Sequence, residues 1–283
     1  MDAVVSSMSS AIRTPLRYPG GKSKVVRQLV RHSPPEFSEF REPFVGGGSM
    51  FIYLKCRYPH LKLWINDLNP ELFYFWVTVQ NDLPELVRRV ADIRATYTDG
   101  RQLFETLTQQ DTETMTAIDR AVRFFILNRI TFSGTVESGG YSQQAFQKRF
   151  TPSSIQRLAN LDNILDDAVI TCQDYETVVT EAGQSVFIFL DPPYYAATKS
   201  KLYGKKGDLH TAFDHDRFAD VLKHCPHSWL ITYDNSPEIY ANFSDHAYFH
   251  EWELQYGMNN YKQAIAAKGK ELLIANYPLA AES

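Results

Sequence analysis

The sequence predicts an α/β protein in which a parallel sheet is interrupted by a helical insert. Strand-like apolar runs alternate with helical patterns at both ends of the chain, whereas residues 81–167 contain long polar helices without a strand-rich pattern. We therefore assign residues 1–80 and 168–283 to one sheet domain and residues 81–167 to the insert. The 283-residue chain, 44% hydrophobic, is large enough and apolar enough for this core.

The first α/β unit is predicted over residues 37–67. Residues 37–45 are strand-like, three glycines follow, and residues 49–54 have helical spacing with Ser49 near the helix start. Residues 61–65 predict a second strand that ends at Asn66 and Asp67. Upstream, a turn over residues 17–22 leads into a helical pattern over residues 23–31.

The α/β pattern returns after helices predicted over residues 83–96 and 116–128. Residues 169–172 predict a short strand, and the continuous apolar run 185–190 is typical of a strand buried on both faces. Strand patterns at 229–233 and 271–276 complete the predicted sheet.

The composition argues against several classes of protein. The net charge of −4 lacks the basic excess of proteins that hold nucleic acid mainly by neutralising phosphates, although it leaves local patches open. A local basic cluster is formed by Lys199, Lys201, Lys205 and Lys206. The three cysteines lack the spacing of a zinc site or a disulfide framework, and no segment approaches the ~20 apolar residues of a membrane span. We expect a cytoplasmic protein without a metal or membrane association.

A glycine turn follows the first predicted strand. Gly46, Gly47 and Gly48 allow close approach of a cofactor to the backbone. Asp67, nineteen residues beyond Gly48, is placed to accept hydrogen bonds from ribose hydroxyls. Because residues 49–51 do not complete the G-x-G-x-x-G pattern, a nucleoside cofactor without a pyrophosphate is favoured over a dinucleotide. A purely structural loop is the alternative.

A stiff loop comes directly after the buried 185–190 run. It consists of Asp191, Pro192, Pro193 and Tyr194. The prolines remove two backbone donors and leave carbonyls at the carboxyl end of the sheet, where α/β proteins bind ligands. The Asp191 carboxylate and the Pro192 carbonyl can accept the two hydrogens of an exocyclic amino group, and Tyr194 can stack on the heterocycle. An ordinary turn is the alternative.

Residues 20–23 end like a phosphate-binding P-loop. That loop requires a glycine at position 16, where this sequence has Leu16, and a buried strand before it. A nucleoside triphosphatase is therefore disfavoured.

In chain order, these motifs resemble the Dam-like adenine-specific DNA methyltransferases. The matching segments are residues 18–22, 41–49, 66–67, 127–129, 191–194 and 270–274, together with Phe132 and Gly134. The resemblance covers nearly the whole chain. It implies a Rossmann-like methyltransferase sheet, a helical target-recognition insert, and transfer of a methyl group from S-adenosylmethionine to N6 of an adenine flipped out of duplex DNA.

The resemblance also implies a donor site. Its predicted members are Tyr18, Lys22, Phe44, Gly46, Gly47, Gly48, Asp67, Asp174 and Asp191. Tyr18 and Lys22 match the aromatic and lysine positions of the family's first donor-site motif, in which Tyr18 replaces the common tryptophan but keeps a stacking ring. Asp67 would hold the donor's ribose, and Asp174 matches an acidic position near the donor's adenine. Asp191 would lie between donor and target.

The predicted DNA-binding residues are Arg17, Asn128, Arg129, Phe132 and Ser133. Phe132 matches a position that wedges into the duplex in Dam-like enzymes. Ser133 replaces an asparagine and an arginine expected beyond Gly134 is missing, so the resemblance does not fix GATC as the target sequence. Asn128 and Arg129 would either contact DNA or brace a helix.

Two alternatives stay open at this point. An N4-cytosine methyltransferase handles the same amine geometry, although Asp191 in place of a serine favours adenine. A DNA-binding homologue without catalysis is the alternative of another class. An RNA or protein amine fits the resemblance less well. We expect double-stranded DNA as the partner and a monomer or weak dimer; a cognate restriction endonuclease is left open.

Overall fold

A computed structural model describes residues 12–18, 20–136, 139–195, 213–255 and 268–280. Its strands are β1 (Glu39–Glu42), β2 (Lys62–Asn66), β3 (Val169–Thr171), β4 (Val186–Leu190), β5 (Ser228–Asp234), β6 (Tyr248–Gln255) and β7 (Lys268–Ala275). They form one seven-stranded sheet in the order β3-β2-β1-β4-β5-β7-β6. The lysine cluster at residues 199–206 lies outside the described residues.

The first five strands of the sheet are parallel, and β7 is antiparallel to both of its neighbours. This order, with one reversed strand next to the edge, is consistent with a Rossmann-like methyltransferase sheet and confirms the predicted fold class. Strand β6 and the reversed direction of β7 were not predicted. Strand β1 is shorter than the predicted 37–45, because Pro43 has no amide hydrogen to continue the parallel ladder.

Strand β4 lies in the middle of the sheet and is buried along its whole length. Phe187 and Phe189 face one apolar cluster, whereas Ile188 and Leu190 face the cluster on the other side. Because successive side chains of a strand point to opposite faces, burial on both faces requires an unbroken apolar run. The prediction of a doubly buried strand is confirmed, and the loop after it follows a central, fully buried strand of the sheet.

The helices are α1 (Val26–Leu29), α2 (Ser49–Arg57), α3 (Pro70–Asn81), α4 (Leu83–Thr96), α5 (Gly100–Thr108), α6 (Ala117–Ile130), α7 (Gln143–Arg149), α8 (Pro152–Ala159), α9 (Tyr175–Thr180), α10 (His215–Lys223) and α11 (Pro237–Phe243). The predicted helix over residues 83–96 is confirmed as α4. The continuous helix predicted over residues 23–31 is wrong. One α-helical turn lies there between two 3-10 turns, in a stretch where Val25, Val26 and Val30 lower the helix propensity. No helix among the described residues has the length and apolarity that a bilayer span requires.

Helices α4 to α8 occupy the segment between residues 83 and 159, where the sequence predicts helices. This segment shares its core with the sheet side: Phe124 and Phe125 of α6 lie 5.5 and 6.2 Å from the ring of Phe75 on α3. A buried ion pair between Arg120 of α6 and Glu71 of α3 crosses the same contact. The recognition role of residues 81–167 stays a prediction.

The Arg120–Glu71 pair yields a test of this packing. Glu71→Ala should lower the free energy of unfolding by about 3–5 kcal/mol, because it leaves a buried guanidinium without its carboxylate. The double variant Glu71→Met, Arg120→Met should lose less, since no unpaired charge remains buried. Urea denaturation followed by circular dichroism measures both. A double variant less stable than the single one would contradict this assignment.

Candidate active site

The side chain of Asn66, at the end of β2, holds two loops together. Its Nδ2 donates hydrogen bonds to the carbonyls of Pro43 and Gln173, both at 3.0 Å. Its Oδ1 accepts hydrogen bonds from the Thr171 hydroxyl at 2.8 Å and from the Gln173 amide at 3.0 Å. All four hydrogen-bonding positions of the buried amide are therefore used. The loops after β1 and β3 are fixed at the carboxyl edge of the sheet.

The loop after β1 contains the predicted glycine turn. Gly46 and Gly48 have φ angles of +44° and +69°, in the left-handed region that favours glycine. A Cβ on Gly46 would lie 2.7 Å from the ring of Tyr18, and a Cβ on Gly48 would lie 2.3 Å from the ring of Phe51. A Cβ on Gly47 would lie 3.0 Å from the Cβ of Tyr18. The structure thus brings Tyr18 against the glycine turn, and both backbone angle and space require glycine there.

Asp67 follows β2 and braces the glycine turn. Its Oδ2 accepts a hydrogen bond from the Gly46 amide at 3.0 Å, and its Oδ1 accepts one from the Asn69 amide at 3.0 Å. Burial raises the pKa of the Asp67 carboxyl to about 6, against the opposing effect of these two amide hydrogen bonds. The structure therefore places Asp67 beside Gly46, as the sequence predicts, and gives it a role in shaping the turn.

Lys22 contacts the carboxylate of Asp191. Its Nζ lies 2.7 and 2.9 Å from the two carboxylate oxygens and also donates to the Gly20 carbonyl at 2.9 Å. The Lys22 side chain is 4% exposed, whereas that of Asp191 is 23% exposed. The hydroxyl of Thr232 on β5 donates a second hydrogen bond to Oδ1 of Asp191 at 2.7 Å. An ammonium and a hydroxyl thus fix the orientation of a carboxylate that a substrate can still reach.

The loop after β4 is anchored at its far end to β5. The amide of Tyr195 donates to Oδ1 of Asp234 at 2.8 Å. The ring of Tyr194 lies 6.0 Å from the ring of Tyr233, and the Nζ of Lys22 lies 5.2 Å from the Tyr194 centroid. The loop after β4 is thus fixed at both ends by side-chain contacts; it consists of Asp191, Pro192, Pro193 and Tyr194.

Glu42, at the end of β1, adds a third carboxylate to the site. It is 4% exposed, and its Oε2 accepts a hydrogen bond from the Phe51 amide at 3.1 Å. Burial raises the pKa of Glu42 well above its usual range, and the negative charges of Asp191 and Asp67 raise it further. Burial and the neighbouring carboxylates therefore favour the protonated form of Glu42, so the negative charge near the site comes mainly from Asp67 and from Asp191, which Lys22 offsets.

Phe44 and Asp174 border the other side of the glycine loop. The ring of Phe44 packs against Tyr175 at 5.5 Å and against Phe218 at 5.9 Å. Asp174 caps the first turn of α9 and forms a two-pronged ion pair with Arg217 at 2.9 and 3.0 Å. The Asp174 carboxylate is thus held by Arg217 beside an aromatic wall, and its role toward a donor adenine stays a prediction.

Asn128 is fully buried on α6, which supports the bracing alternative of its two predicted roles. Its Oδ1 accepts a hydrogen bond from the Arg17 amide at 2.9 Å. Its Nδ2 donates to the carbonyls of Arg17 and Gly134, at 2.7 and 3.1 Å. The oxygen and the nitrogen of this side-chain amide are both hydrogen-bonded to main-chain groups. The amide therefore braces the Arg17 segment and is not available to a base edge.

Arg129 is also buried, with 3% of its surface exposed. Its Nε donates to the Arg149 carbonyl at 3.0 Å and its Nη1 donates to the Pro15 carbonyl at 2.7 Å. These contacts support the bracing alternative for Arg129: its guanidinium joins the N-terminal segment to the end of α7. Side-chain type alone suggested DNA contact, because sequence does not show that α6 is buried on nearly every side.

Phe132 lies at an exposed tip. It is 62% exposed, and the following Ser133 has a φ of 53° in the left-handed region. Arg17 lies beside this tip and donates from Nη1 to the Thr131 carbonyl at 3.0 Å. Phe132 is thus accessible to a duplex, and its DNA contact, like those of Arg17 and Ser133, stays a prediction.

Sequence reasoning missed Glu42, Thr232 and Asp234 as site residues. Each lies at or next to the carboxyl end of a strand, the position where α/β proteins bind ligands. The location of these residues near the carboxyl ends of strands is the sequence feature that could have identified them. The described residues contain no group of three or more His, Cys, Asp or Glu arranged to hold a metal ion.

Comparison with known proteins points to one class of enzyme. Residues 18–258 match the family model described as D12 class N6 adenine-specific DNA methyltransferase. Type II methyltransferase M.MjaIII of Methanocaldococcus jannaschii is 26% identical over 66% of this chain and 71% of its own length. Type II methyltransferase M1.LlaDCHI of Lactococcus lactis subsp. cremoris is 24% identical over 92% and 94%. A DNA adenine methylase of Vibrio cholerae is 25% identical over 74% and 75%.

The raised pKa of Asp67 gives a test of the site's electrostatics. Between pH 4 and 6 the folded protein holds a proton on Asp67 that the unfolded chain has already released. The free energy of unfolding should therefore fall as pH rises through this window, with a contribution from Asp67 of about 3 kcal/mol. Asp67→Asn should lack this part of the slope, and the exposed control Asp166→Asn should keep it. Urea denaturation at several pH values measures it, and an unchanged slope in Asp67→Asn would refute the assignment.

Proposed function

The chain belongs to the D12 class of N6 adenine-specific DNA methyltransferases, and from that premise we propose that Asp191 and Pro192 hold the amino group of a flipped adenine while S-adenosylmethionine donates the methyl group. The observation that supports this most is the carboxylate of Asp191, oriented by Lys22 and Thr232 at the end of the buried strand β4. The two prolines that follow leave carbonyl acceptors beside it.

The residues of the site fit S-adenosylmethionine. The donor is a sulfonium cation, and Asp67 and Asp191 offer two carboxylates of which Lys22 offsets one; a bound cation would also favour the charged form of buried Glu42. The left-handed glycine turn at Gly46 allows close approach of a ligand to the backbone. We propose that Asp67, beside this turn, binds the ribose hydroxyls of the donor. When bound, S-adenosylmethionine supplies an electrophilic methyl group.

Asp191 and Pro192 act on the target amine. Each accepts one hydrogen of the exocyclic amino group, which favours a more tetrahedral and nucleophilic nitrogen whose lone pair is less delocalised into the ring. The Asp191 carboxylate also stabilises the positive charge that develops on this nitrogen. Lys22 and Thr232 fix the carboxylate before the substrate arrives, so little reorganisation is required during the reaction.

An adenine within a duplex cannot reach this site, so we propose that the nucleotide rotates out of the helix at a cost of a few kcal/mol. Stacking of the extruded base on Tyr194 offsets about 1–3 kcal/mol of that cost. The exposed ring of Phe132 would wedge into the duplex at the tip of the helical segment. We propose residues 81–167 as the target-recognition insert on the same grounds.

The proposed partners follow from the substrate. We propose that the protein acts on double-stranded DNA in the cytoplasm as a monomer or weak dimer. Two relatives carry the name Type II methyltransferase, which makes a cognate restriction endonuclease a partner to look for. Among the alternatives, the family match favours adenine over cytosine N4. The intact Lys22–Asp191 pair speaks against a homologue without catalysis.

Asp191→Asn tests the proposed role of the carboxylate. This variant keeps the shape of the side chain but removes its charge, so we expect kcat to fall by at least about 100-fold while donor binding partly survives. Transfer of labelled methyl from S-adenosylmethionine to duplex DNA measures the rate, and nucleoside analysis identifies the product. The exposed Asp92→Asn serves as a matched control. Near-normal turnover by Asp191→Asn, or N4-methylcytosine as the wild-type product, would overturn the proposal.

A further inference from the structure

Four arginines gather at the base of the Phe132 tip. They come from the N-terminal segment and from α6, α7 and α8, and are Arg17, Arg129, Arg149 and Arg157. We refer to them as the arginine cluster. The Arg129 guanidinium donates to the main chain at Arg149 and Pro15, which joins three of these chain segments.

The arginine cluster has no acidic counterpart among the residues that the structure describes. None of the ion pairs within 4.0 Å in those residues involves any of its members. Arg129 is 3% exposed and has carbonyl oxygens as its hydrogen-bond acceptors. The Nε of Arg157 is buried without a hydrogen-bond partner. A buried cation without an anion costs free energy, because its water is removed and no opposite charge replaces it.

Mutual repulsion adds to this cost. Burial, and after it the positive charges of Arg157, Arg17 and Arg149, together lower the pKa of Arg129 to about 9. The pKa of Arg17 is lowered by burial and then by the charge of Arg149. An anion bound among these side chains would relieve both desolvation and repulsion.

The arginine cluster is accessible from the side of the Phe132 tip. Arg149 is exposed, and Arg17 and Arg157 are partly exposed. Asn128 binds the main chain of both Arg17 and Gly134, and a Cβ on Gly134 would lie 2.3 Å from the Arg17 carbonyl oxygen. The tip and the cluster are therefore parts of one tightly packed unit.

We propose that the arginine cluster binds a backbone phosphate of the DNA duplex, next to the position that Phe132 contacts. The guanidinium fork matches phosphate oxygens in charge and geometry. Arg149 and Arg157 contact the phosphate directly. Arg129, buried beneath them, adds to the positive electrostatic potential at the phosphate. This inference rests on the proposed function only in taking the duplex as substrate.

The salt dependence of DNA binding tests the proposal. Fluorescence anisotropy with a labelled duplex, measured at several salt concentrations, gives the slope of log K against log salt. Arg149→Gln and Arg157→Gln should each weaken binding and lower the magnitude of the slope by about one, because each removes a phosphate contact. Arg149→Lys should keep the slope, since it keeps the charge. The matched control is Arg27→Gln, an exposed arginine that lines a separate groove beside Phe37.

Two results would overturn the proposal: slopes of Arg149→Gln and Arg157→Gln equal to wild type, or an equal loss of slope in Arg27→Gln. Methyl transfer by the wild-type protein is scored separately. Absence of that transfer would refute the proposed function, whereas transfer with unchanged slopes would refute the role of the cluster alone.

Discussion

The ion pair between Lys22 and Asp191 is the interaction on which the rest of the site depends. It joins residues 169 positions apart, one on the turn before α1 and one after the central strand β4. With Lys22 buried, removal of either partner leaves the other charge without its counterpart, which costs about 3–5 kcal/mol in a buried pair. Thr232 adds a contact from β5 to the same carboxylate. Three separate parts of the chain therefore determine the direction of the Asp191 carboxylate.

The distribution of charge explains how a protein with a net charge of −4 can act on DNA. Carboxylates concentrate at the donor site, where Glu42, Asp67 and Asp191 suit a cationic cofactor. Arginines without described ion pairs concentrate at the base of the Phe132 tip. Net charge averages over these two regions, whereas the local field decides which ligand binds at each. The proposed sites for a cationic donor and for a polyanion therefore lie in separate regions of one chain.

Local patterns predicted the parts of the site that lie on one continuous stretch. The apolar run before Asp191 identified the central strand, and the glycine triplet identified the tight turn after β1, because both depend on neighbouring residues. The sequence did not identify Thr232 as a site residue, because its role depends on a hydrogen bond to Asp191, 41 positions away. The sequence left two roles open for Asn128 for a related reason: its side chain suits a base edge or a main-chain contact equally well, and burial of α6 comes from packing that no local pattern shows.

The antiparallel direction of β7 could not be predicted either, since the pattern of apolar residues in a strand does not show whether it runs parallel or antiparallel to its neighbours. It follows from pairing with β5 on one side and β6 on the other. The turn containing Lys22 shows the same limit. A turn was predicted up to Lys22 and a helical pattern from residue 23, and the structure has a 3-10 turn over Lys22–Lys24 followed by one α-helical turn. The tertiary contact with Asp191, which no local pattern shows, determines where the lysine points.

The measurement that tests the central claim most directly is a double-mutant cycle on the single-turnover rate of methyl transfer. It uses Lys22→Met, Asp191→Asn and the double variant. If Lys22 works by orienting the Asp191 carboxylate, its removal should slow the wild-type protein but have little further effect once Asp191 is replaced. Losses that simply add in the double variant would show that the two side chains act independently, and would contradict the account.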